Sequence, residues 1–522
     1  MFCKVNGADT QGIQARMIQI EADISDGLPV FIMVGYLASA VKEARERVRI
    51  ALKNTGYRFP VKRITVNLSP ADYRKEGTTF DLPIAVALLA AAGYLSAGKL
   101  KEYLFIGELG LDGGILPVSG CMSMVDAAVR AGIKKCIVPK ENEKEAAFIG
   151  EAVVYGVRHL SEITEFLNGK ENLCPCQMNL AALTEDNRKQ NIDFSDVVGQ
   201  FNSKRALEIA VSGRHNILLM GPPGTGKTML ASRVPTIMPA LSLEESIEIT
   251  KIYSICGRME RGQFLVTKRP FRSPHHTITD TALIGGGRKL RPGEVTLASG
   301  GVLFLDEFLE FKKSTLELLR QPLEDRQVTV NRIYESYRYP ADFMMIAAAN
   351  PCKCGYYPDR NRCHCTEGEV RKYLSRVSKP VLDRIDLCTQ TEIYEQRNLT
   401  DLNQRKQYRV KKQRTETSAE IRYRVEQVRK LQRERYRNEA IYFNAQLSPS
   451  QMKKFCSLTA GAKELLDEVV AYEDISMRGK SRIIKTSRTI ADLAGTEKIE
   501  EDHIGEAVYY RAFGERFWEG SI

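Results

Sequence analysis

Three short, wholly apolar runs mark the middle of the chain: Ile217-Leu218-Leu219-Met220, Val302-Leu303-Phe304-Leu305 and Met344-Met345-Ile346-Ala347-Ala348-Ala349. Unbroken apolar character, without alternation, is the pattern of a strand covered on both faces, so these runs predict buried parallel strands. Helix-like stretches lie between them, as in a doubly wound α/β domain. Earlier, Thr65-Val66-Asn67-Leu68 reads as a strand. Leu82 to Ala92 reads as a buried helix with Asp81 as its cap and Pro83 in its first turn. That run continues to Leu95, but it is short and holds Pro83 and Gly93, so it cannot span a bilayer. Beyond about residue 397 strand patterns cease and the chain reads as helical. Within that part, residues 401–440 carry 13 Lys/Arg against 6 Asp/Glu, with Val425, Val428 and Leu431 at helical spacing. This is either a solvated helix with a narrow buried stripe or a nucleic-acid or subunit contact, and the first is favoured.

The patterns divide the 522 residues into an α+β block over 1–170, a polar linker over 171–194, an α/β block over 195–396 and a helical block over 397–522. An apolar fraction of 43% gives each block a core to bury. Lys and Arg outnumber Asp and Glu by 76 to 65, a net charge of +11 that tolerates an anionic partner without requiring one. Twelve cysteines without a leader-like start point to thiols or metal ligands, not a disulfide framework. A cytoplasmic protein with no membrane partner is expected.

The apolar run at 217–220 leads straight into Gly221-Pro222-Pro223-Gly224-Thr225-Gly226-Lys227-Thr228. Strand, G-x-x-x-x-G-K-[ST], then helix is the pattern of a phosphate cradle. Its glycines let backbone N–H groups approach a nucleotide, and the helix N-terminus adds positive potential. Lys227 is placed to meet the β/γ-phosphates, and Thr228 to offer a hydroxyl to Mg²⁺. The run at 302–305 ends in Asp306-Glu307. Asp306 is the expected Mg²⁺ ligand, and Glu307 the expected general base for the attacking water. Together the two motifs predict a P-loop enzyme that hydrolyses ATP with Mg²⁺.

Several segments, taken in order, resemble the AAA+ ATPases. Asp196-Val197-Val198-Gly199-Gln200 is similar to the adenine-side motif. Asn350, ending the run at 344–349, resembles sensor 1, which orients the lytic water. Leu382-Asp383-Arg384-Ile385-Asp386 resembles the arginine-finger segment, and Arg478 in Ser476-Met477-Arg478 resembles sensor 2. Lys227 and Asp306 lie 79 positions apart, and the insertion holds Arg272-Ser273-Pro274-His275-His276-Thr277, Gly285-Gly286-Gly287-Arg288 and Arg291-Pro292-Gly293-Glu294-Val295. This insertion, with Arg326 to Arg338 as a pre-sensor-1 hairpin, resembles the magnesium-chelatase-like, helix-2-insert group. The first block's Val66-Asn67-Leu68-Ser69-Pro70-Ala71-Asp72, the stretch from Lys75 to Pro83 and Gly107-Glu108-Leu109-Gly110-Leu111-Asp112-Gly113 resemble the Lon-protease-like N-terminal domain of the ComM/YifB proteins.

The resemblance covers nearly the whole chain and implies its architecture. A Lon-like α+β domain would precede an AAA+ P-loop doubly wound parallel sheet and a C-terminal helical lid. It implies a homo-hexameric ring in which Lys227, Thr228, Asp306, Glu307 and Asn350 of one subunit face Arg384 of the next. It also implies a DNA translocase, similar to the ComM branch-migration helicase, acting on single-stranded or branched DNA beside recombination proteins. Arg288, Lys289, Arg291 and Arg332 are the basic pore candidates. The alternative is a chelatase-like or chaperone-type motor that remodels a protein. Proteolysis in the Lon fold needs a Ser nucleophile and a Lys base. Those positions fall at Thr79 and Met122, so the N-terminal domain is expected to be non-proteolytic.

Two further constellations carry chemistry. Cys352, Cys354, Cys363 and Cys365 lie within 14 residues and are candidates for a tetrahedral structural Zn²⁺ site, with reduced thiols or a redox switch as the alternative. The spacing is C-x-C, and His364 is a fifth candidate ligand. His275-His276 has no carboxylate or thiol at ligand spacing and reads as a structural turn.

Overall fold

The computed structural model describes residues 1–178, 192–260, 262–287, 291–332, 335–392, 415–473 and 475–519. They gather into two compact units, 1–186 with 242–267, and 187–241 with 268–522.

The first unit is built on one mixed sheet. Its strands are β1 (Phe2–Gln11), β2 (Gln14–Ser25), β3 (Val30–Val34), β4 (Arg63–Ser69), β5 (Tyr103–Phe105), β6 (Lys135–Pro139) and β7 (Val153–Val157), in the order β3-β4-β2-β1-β5-β6-β7. β2 runs antiparallel to β1 and β4, and the other neighbours are parallel. Helices α1 (Ser39–Asn54), α2 (Asp81–Ala91) and α3 (Cys121–Arg130) pack with it. Every residue of α2 is buried, as a helix apolar on all sides must be. Asp81 does not cap it: Asp81 is the first helical residue, and its buried carboxylate accepts from Arg47 Nε at 2.7 Å and Nη2 at 2.9 Å. A buried charge needs a partner more than a helix end needs a cap.

A later segment joins this unit. Helix Leu243–Ile255 is tied to it by Lys251 Nζ to Asp126 at 3.0 Å, by Ser254 Oγ donating to Glu145 at 2.5 Å and by Gly120 N donating to Ser254 Oγ at 3.0 Å. Its polar residues thus face inward onto named partners, which keeps them satisfied away from water.

The second unit holds a five-stranded parallel sheet. Strands β8 (Ile217–Met220), β9 (Phe271–Arg272), β10 (Val302–Leu305), β11 (Met344–Ala349) and β12 (Leu387–Gln390) lie in the order β9-β10-β11-β8-β12. The three apolar runs are the three central strands, and all their residues are buried. Helices α4 (Phe201–Gly213) and α5 (Lys227–Ile237) follow the α/β pattern, and α6 (Ser418–Arg435), α7 (Ala460–Tyr472), α8 (Met477–Ala494) and α9 (Glu501–Glu519) form the helical region. One apolar core runs from Ile217, Phe304 and Ile346 in the sheet to Ile421, Ile483 and Ile504 in the helices. On α6 the buried stripe is Ile421, Val425, Val428 and Gln432, whereas Leu431 is exposed. Residues 401–414 of the basic segment lie outside the described residues. The expected hairpin is present as Gln327–Arg332 paired with Glu335–Pro340. No described helix is long and apolar enough to cross a membrane.

Candidate active site

The site forms where the parallel strands end. β8 stops at Met220 and α5 begins at Lys227, so residues 221–226 must turn sharply between them. Gly224 and Gly226 make that turn with φ of 78° and 85°, values open to glycine. Gly221 allows a close approach: a Cβ there would stand 2.1 Å from Thr391 Oγ1. Thr225 pins the loop through its hydroxyl to Pro222 O at 2.9 Å and to Thr391 Oγ1 at 2.7 Å.

Lys227 sits beneath the loop and is only 8% exposed. Its ammonium donates to Gly221 O at 2.7 Å, Pro222 O at 2.9 Å and Asn350 Oδ1 at 3.1 Å. Burial pushes its pKa down to about 8 against the opposing pull of Asp306. Register explains the Asn350 contact. Met220 pairs with Ala349 across β8 and β11, so Gly221 and Asn350 leave the sheet side by side. Thr228 Oγ1 donates to Asp306 Oδ2 at 2.8 Å. A hydroxyl and a carboxylate oxygen on an exposed edge are the hard donors that Mg²⁺ takes while keeping several waters. These residues fit a magnesium nucleotide.

Glu307 follows in a left-handed conformation, φ 51°, which projects its side chain from the strand end. Its carboxylate meets His276 Nδ1 at 2.9 Å. The composition and spacing around His276 suggested a turn, but its actual partner is the candidate base. The contact forms beyond the strand ends: His276 lies four residues past Arg272, where the two-residue β9 stops, and Glu307 two past Leu305, where β10 stops. His275 makes the turn contact, with Nδ1 2.9 Å from Thr277 Oγ1.

The outlying candidates are distributed around this centre. Gln200 Nε2 donates to Thr225 O at 3.2 Å and Glu392 O at 2.7 Å, which links the segment before α4 to the phosphate loop. Asp196 pairs with Arg233 on α5 at 2.9 Å. Arg384 does not meet the phosphate loop of its own chain. Its side chain is 8% exposed and donates to Arg320 O at 3.1 Å, Pro380 O at 2.6 Å and the Glu324 carboxylate. Arg478 is exposed in the first turn of α8, whose cap Ser476 accepts from Gly479 N at 3.1 Å. One turn on, Arg482 pairs with the buried Asp386. Among the pore candidates Arg291 is exposed, whereas Arg288, Lys289 and the side chain of Arg332 lie outside the described residues.

The four clustered thiols converge. All four Sγ atoms lie within 4.8 Å of one another. Cys352 is 3.2 Å from Cys354 and 3.7 Å from Cys363, and Cys354 is 3.5 Å from Cys363. Four sulfurs about 2.3 Å from one zinc would stand about 3.8 Å apart, so the cluster has the dimensions of a tetrahedral S₄ site. Burial raises the Cys354 thiol, but the Tyr356 N–H and the neighbouring thiols outweigh it and bring it down to about 6. Burial and those same neighbours push Cys363 up to about 12. One thiolate is favoured and further ones repel, the condition that a divalent cation relieves.

Residues 193–399 match the family model for magnesium chelatase, subunit ChlI. Residues 20–142 match that for subunit ChlI of Mg-chelatase, and residues 415–511 that for its C-terminal region. The chain is 40% identical over 505 residues to competence protein ComM of Haemophilus influenzae, covering 96% of each. It is 42% identical over 502 residues to the uncharacterized protein YifB of Salmonella typhimurium, covering 96% of this chain and 95% of that one. A Lon protease of Trichlorobacter lovleyi is 27% identical over 172 residues, covering 31% of this chain and 21% of that one. The chain belongs to the ComM/YifB family of magnesium-chelatase-like AAA+ ATPases.

Proposed function

We propose that the chain is an ATP-hydrolysing ring motor that translocates on DNA and migrates branched structures, working as a homo-hexamer. The observation that carries the ATPase reading is the meeting of Lys227, Thr228, Asp306, Glu307 and Asn350 at the ends of three adjacent parallel strands. ATP is the substrate. Lys227 turns its ammonium from the carbonyls of Gly221 and Pro222 to the phosphates. Thr228 and Asp306 would hold Mg²⁺, which would supply positive charge against the phosphate oxygens. Glu307 takes the proton of the attacking water, and His276 is the positioning residue that aims it. Asn350 orients the same water. Arg384 of the adjacent subunit supplies the cation for charge developing in the transition state. Arg478 completes the nucleotide pocket from the helical region. The four clustered cysteines hold a structural Zn²⁺ ion.

The DNA part is supported by the net charge of +11, by the exposed Arg291 on the insertion and by likeness to a competence protein. The N-terminal unit is a binding or assembly module, not a protease. Among the described residues the Thr79 hydroxyl has no hydrogen-bond partner, and the lysine position is the buried Met122. ATP turnover measured with single-stranded, duplex and branched DNA at fixed salt tests the reading. Stimulation by branched or single-stranded DNA, weakening as salt rises, is expected. Turnover that ignores all three, with no salt-dependent binding, refutes the DNA motor and leaves protein remodelling.

A further inference from the structure

The cysteine cluster sits directly against the nucleotide site. Cys352 is two residues beyond Asn350, whose Oδ1 accepts from the Lys227 ammonium at 3.1 Å. The chain then turns at Gly355, where φ is 87° and the amide donates to Cys352 O at 3.0 Å. This turn is what lets a C-x-C pair present both sulfurs to one centre. Its outer face abuts the phosphate loop: a Cβ at Gly355 would stand 2.5 Å from Pro223 Cδ and 3.3 Å from Pro223 Cγ. Pro223 lies in the turn that cradles the phosphates, so the knuckle touches the nucleotide site twice, at Asn350 and at Pro223. The far half of the knuckle is tied by Cys363 N donating to Asp359 O at 2.8 Å and by Arg360 Nη1 donating to Cys365 O at 3.1 Å. Cys352 and Cys363 are buried, so closing the cluster fixes backbone on both sides of the turn.

We propose that Zn²⁺ held by Cys352, Cys354, Cys363 and Cys365 is a brace for the ATP site, and that losing it loosens nucleotide binding through Asn350 and the Gly355–Pro223 contact. The proposal rests on the ATPase reading above and adds a control to that site. Binding releases the thiol protons to solvent and leaves four thiolates on one ion, with no change of oxidation state. Without the ion, only the Gly355 N–Cys352 O bond and contacts among the thiols hold the knuckle, so Gly355 is set less firmly against Pro223. A looser phosphate wall weakens the seat of the nucleotide, and turnover, which depends on positioning, falls with it.

The full-length chain tests this. Metal content is read by elemental analysis, and Co²⁺ replacement by the visible bands of a tetrahedral thiolate complex. Affinity for a fluorescent non-hydrolysable ATP analogue is then measured before and after a zinc-selective chelator, with Mg²⁺ in excess, and after Zn²⁺ is restored. We expect one ion per chain, about tenfold or more loss of affinity on stripping, and recovery with zinc. Cys363→Ser is expected to match the stripped protein. Cys365→Ser is expected to lose zinc and affinity together, and Cys365→His, which restores a fourth ligand, to regain both. Were stripping to unfold the chain, the Cys365 pair decides: a folded, zinc-free Cys365→Ser protein with unchanged affinity overturns the brace. Absence of zinc and of the cobalt bands, or equal affinity with and without metal, also overturns it while leaving the ATPase reading standing. Zinc-loaded protein that binds no nucleotide refutes the ATPase reading instead.

Discussion

The Lys227 ammonium, with a pKa of about 8, makes nucleotide binding pH-dependent in a range where most lysines are silent. Burial lowers the pKa and Asp306 raises it, so the free site loses its cation as pH climbs through 8. The phosphate's own last ionisation is finished by about pH 7, so the ligand's charge no longer changes. About nine-tenths of the sites carry the charged lysine at pH 7 and about one-tenth at pH 9. If only the charged form binds, apparent Kd for a non-hydrolysable analogue rises about tenfold across that range. Each binding event must also take up a proton, about 0.1 at pH 7 and about 0.9 at pH 9. Titration calorimetry in two buffers of different ionisation enthalpy reads that uptake directly. Lys227→Arg keeps its charge throughout and removes the pH dependence whatever its affinity. Asp306→Asn removes the opposing pull and moves the fall in affinity to lower pH. A flat Kd from pH 7 to 9 with no proton uptake refutes the argument.

Glu307→Gln should keep the analogue's Kd and lower kcat by about 10²–10⁴-fold, read in steady-state phosphate release. His276→Ala should lower kcat with little change in KM, and a loss seen in KM alone would deny it a positioning role. Asp386 is buried and its carboxyl is held below the usual carboxylate range, where Arg482, His215 and the Asn216 N–H outweigh its burial. Asp386→Ala should therefore cost about 3–5 kcal/mol in urea unfolding, since it strands Arg482. The stabilisation from this group is complete above the ordinary carboxylate range and is lost only as pH falls below it.

Chemistry was most legible where sequence and strand order coincide. The runs at 217–220, 302–305 and 344–349 are the sheet's three central strands, because only strands covered on both faces must be wholly apolar. The edge strands Phe271–Arg272 and Leu387–Gln390 carry no such signature: one is two residues long and the other ends in Thr389-Gln390. His276 is hidden for a related reason, since its contact with Glu307 forms in turns beyond the strand ends, where no strand pattern points to it. Helix Leu243–Ile255 lies between the two ATPase motifs in sequence yet packs with the first unit. The contacts that place it, Lys251 with Asp126 and Ser254 with Glu145, join residues more than 100 positions apart. The stripe on α6 shows a smaller limit. Val425 and Val428 were plain, but the third turn buries Gln432, which donates to Ser212 O at 3.0 Å, in place of Leu431.

The proposed role of Arg384 sets a condition on assembly. Its guanidinium is occupied within its own chain, so serving a neighbouring site requires an exchange of partners. The backbone is not the moving part. Asn216 Nδ2 donates to Arg384 O at 3.0 Å, and Asp386, two residues on, is held by Arg482 from α8. Glu324 is 54% exposed but the Arg384 side chain only 8%, so the pair is half-buried, and the carbonyls of Arg320 and Pro380 must be given up as well. A phosphate in a partly dry interface offers the guanidinium a stronger, bidentate partner. Removing the Glu324 charge loosens one of the three contacts and should raise turnover modestly, about fivefold for each ~1 kcal/mol released. Glu324→Gln tests this at saturating ATP over a series of protein concentrations. Arg384→Ala should spare affinity and lower kcat by about 10³-fold or more, and mixing it with Lys227→Ala should restore part of the activity where intact halves meet. If Glu324→Gln falls to the level of Arg384→Ala and the mixture stays inactive, the pair is architectural and another cation completes the site.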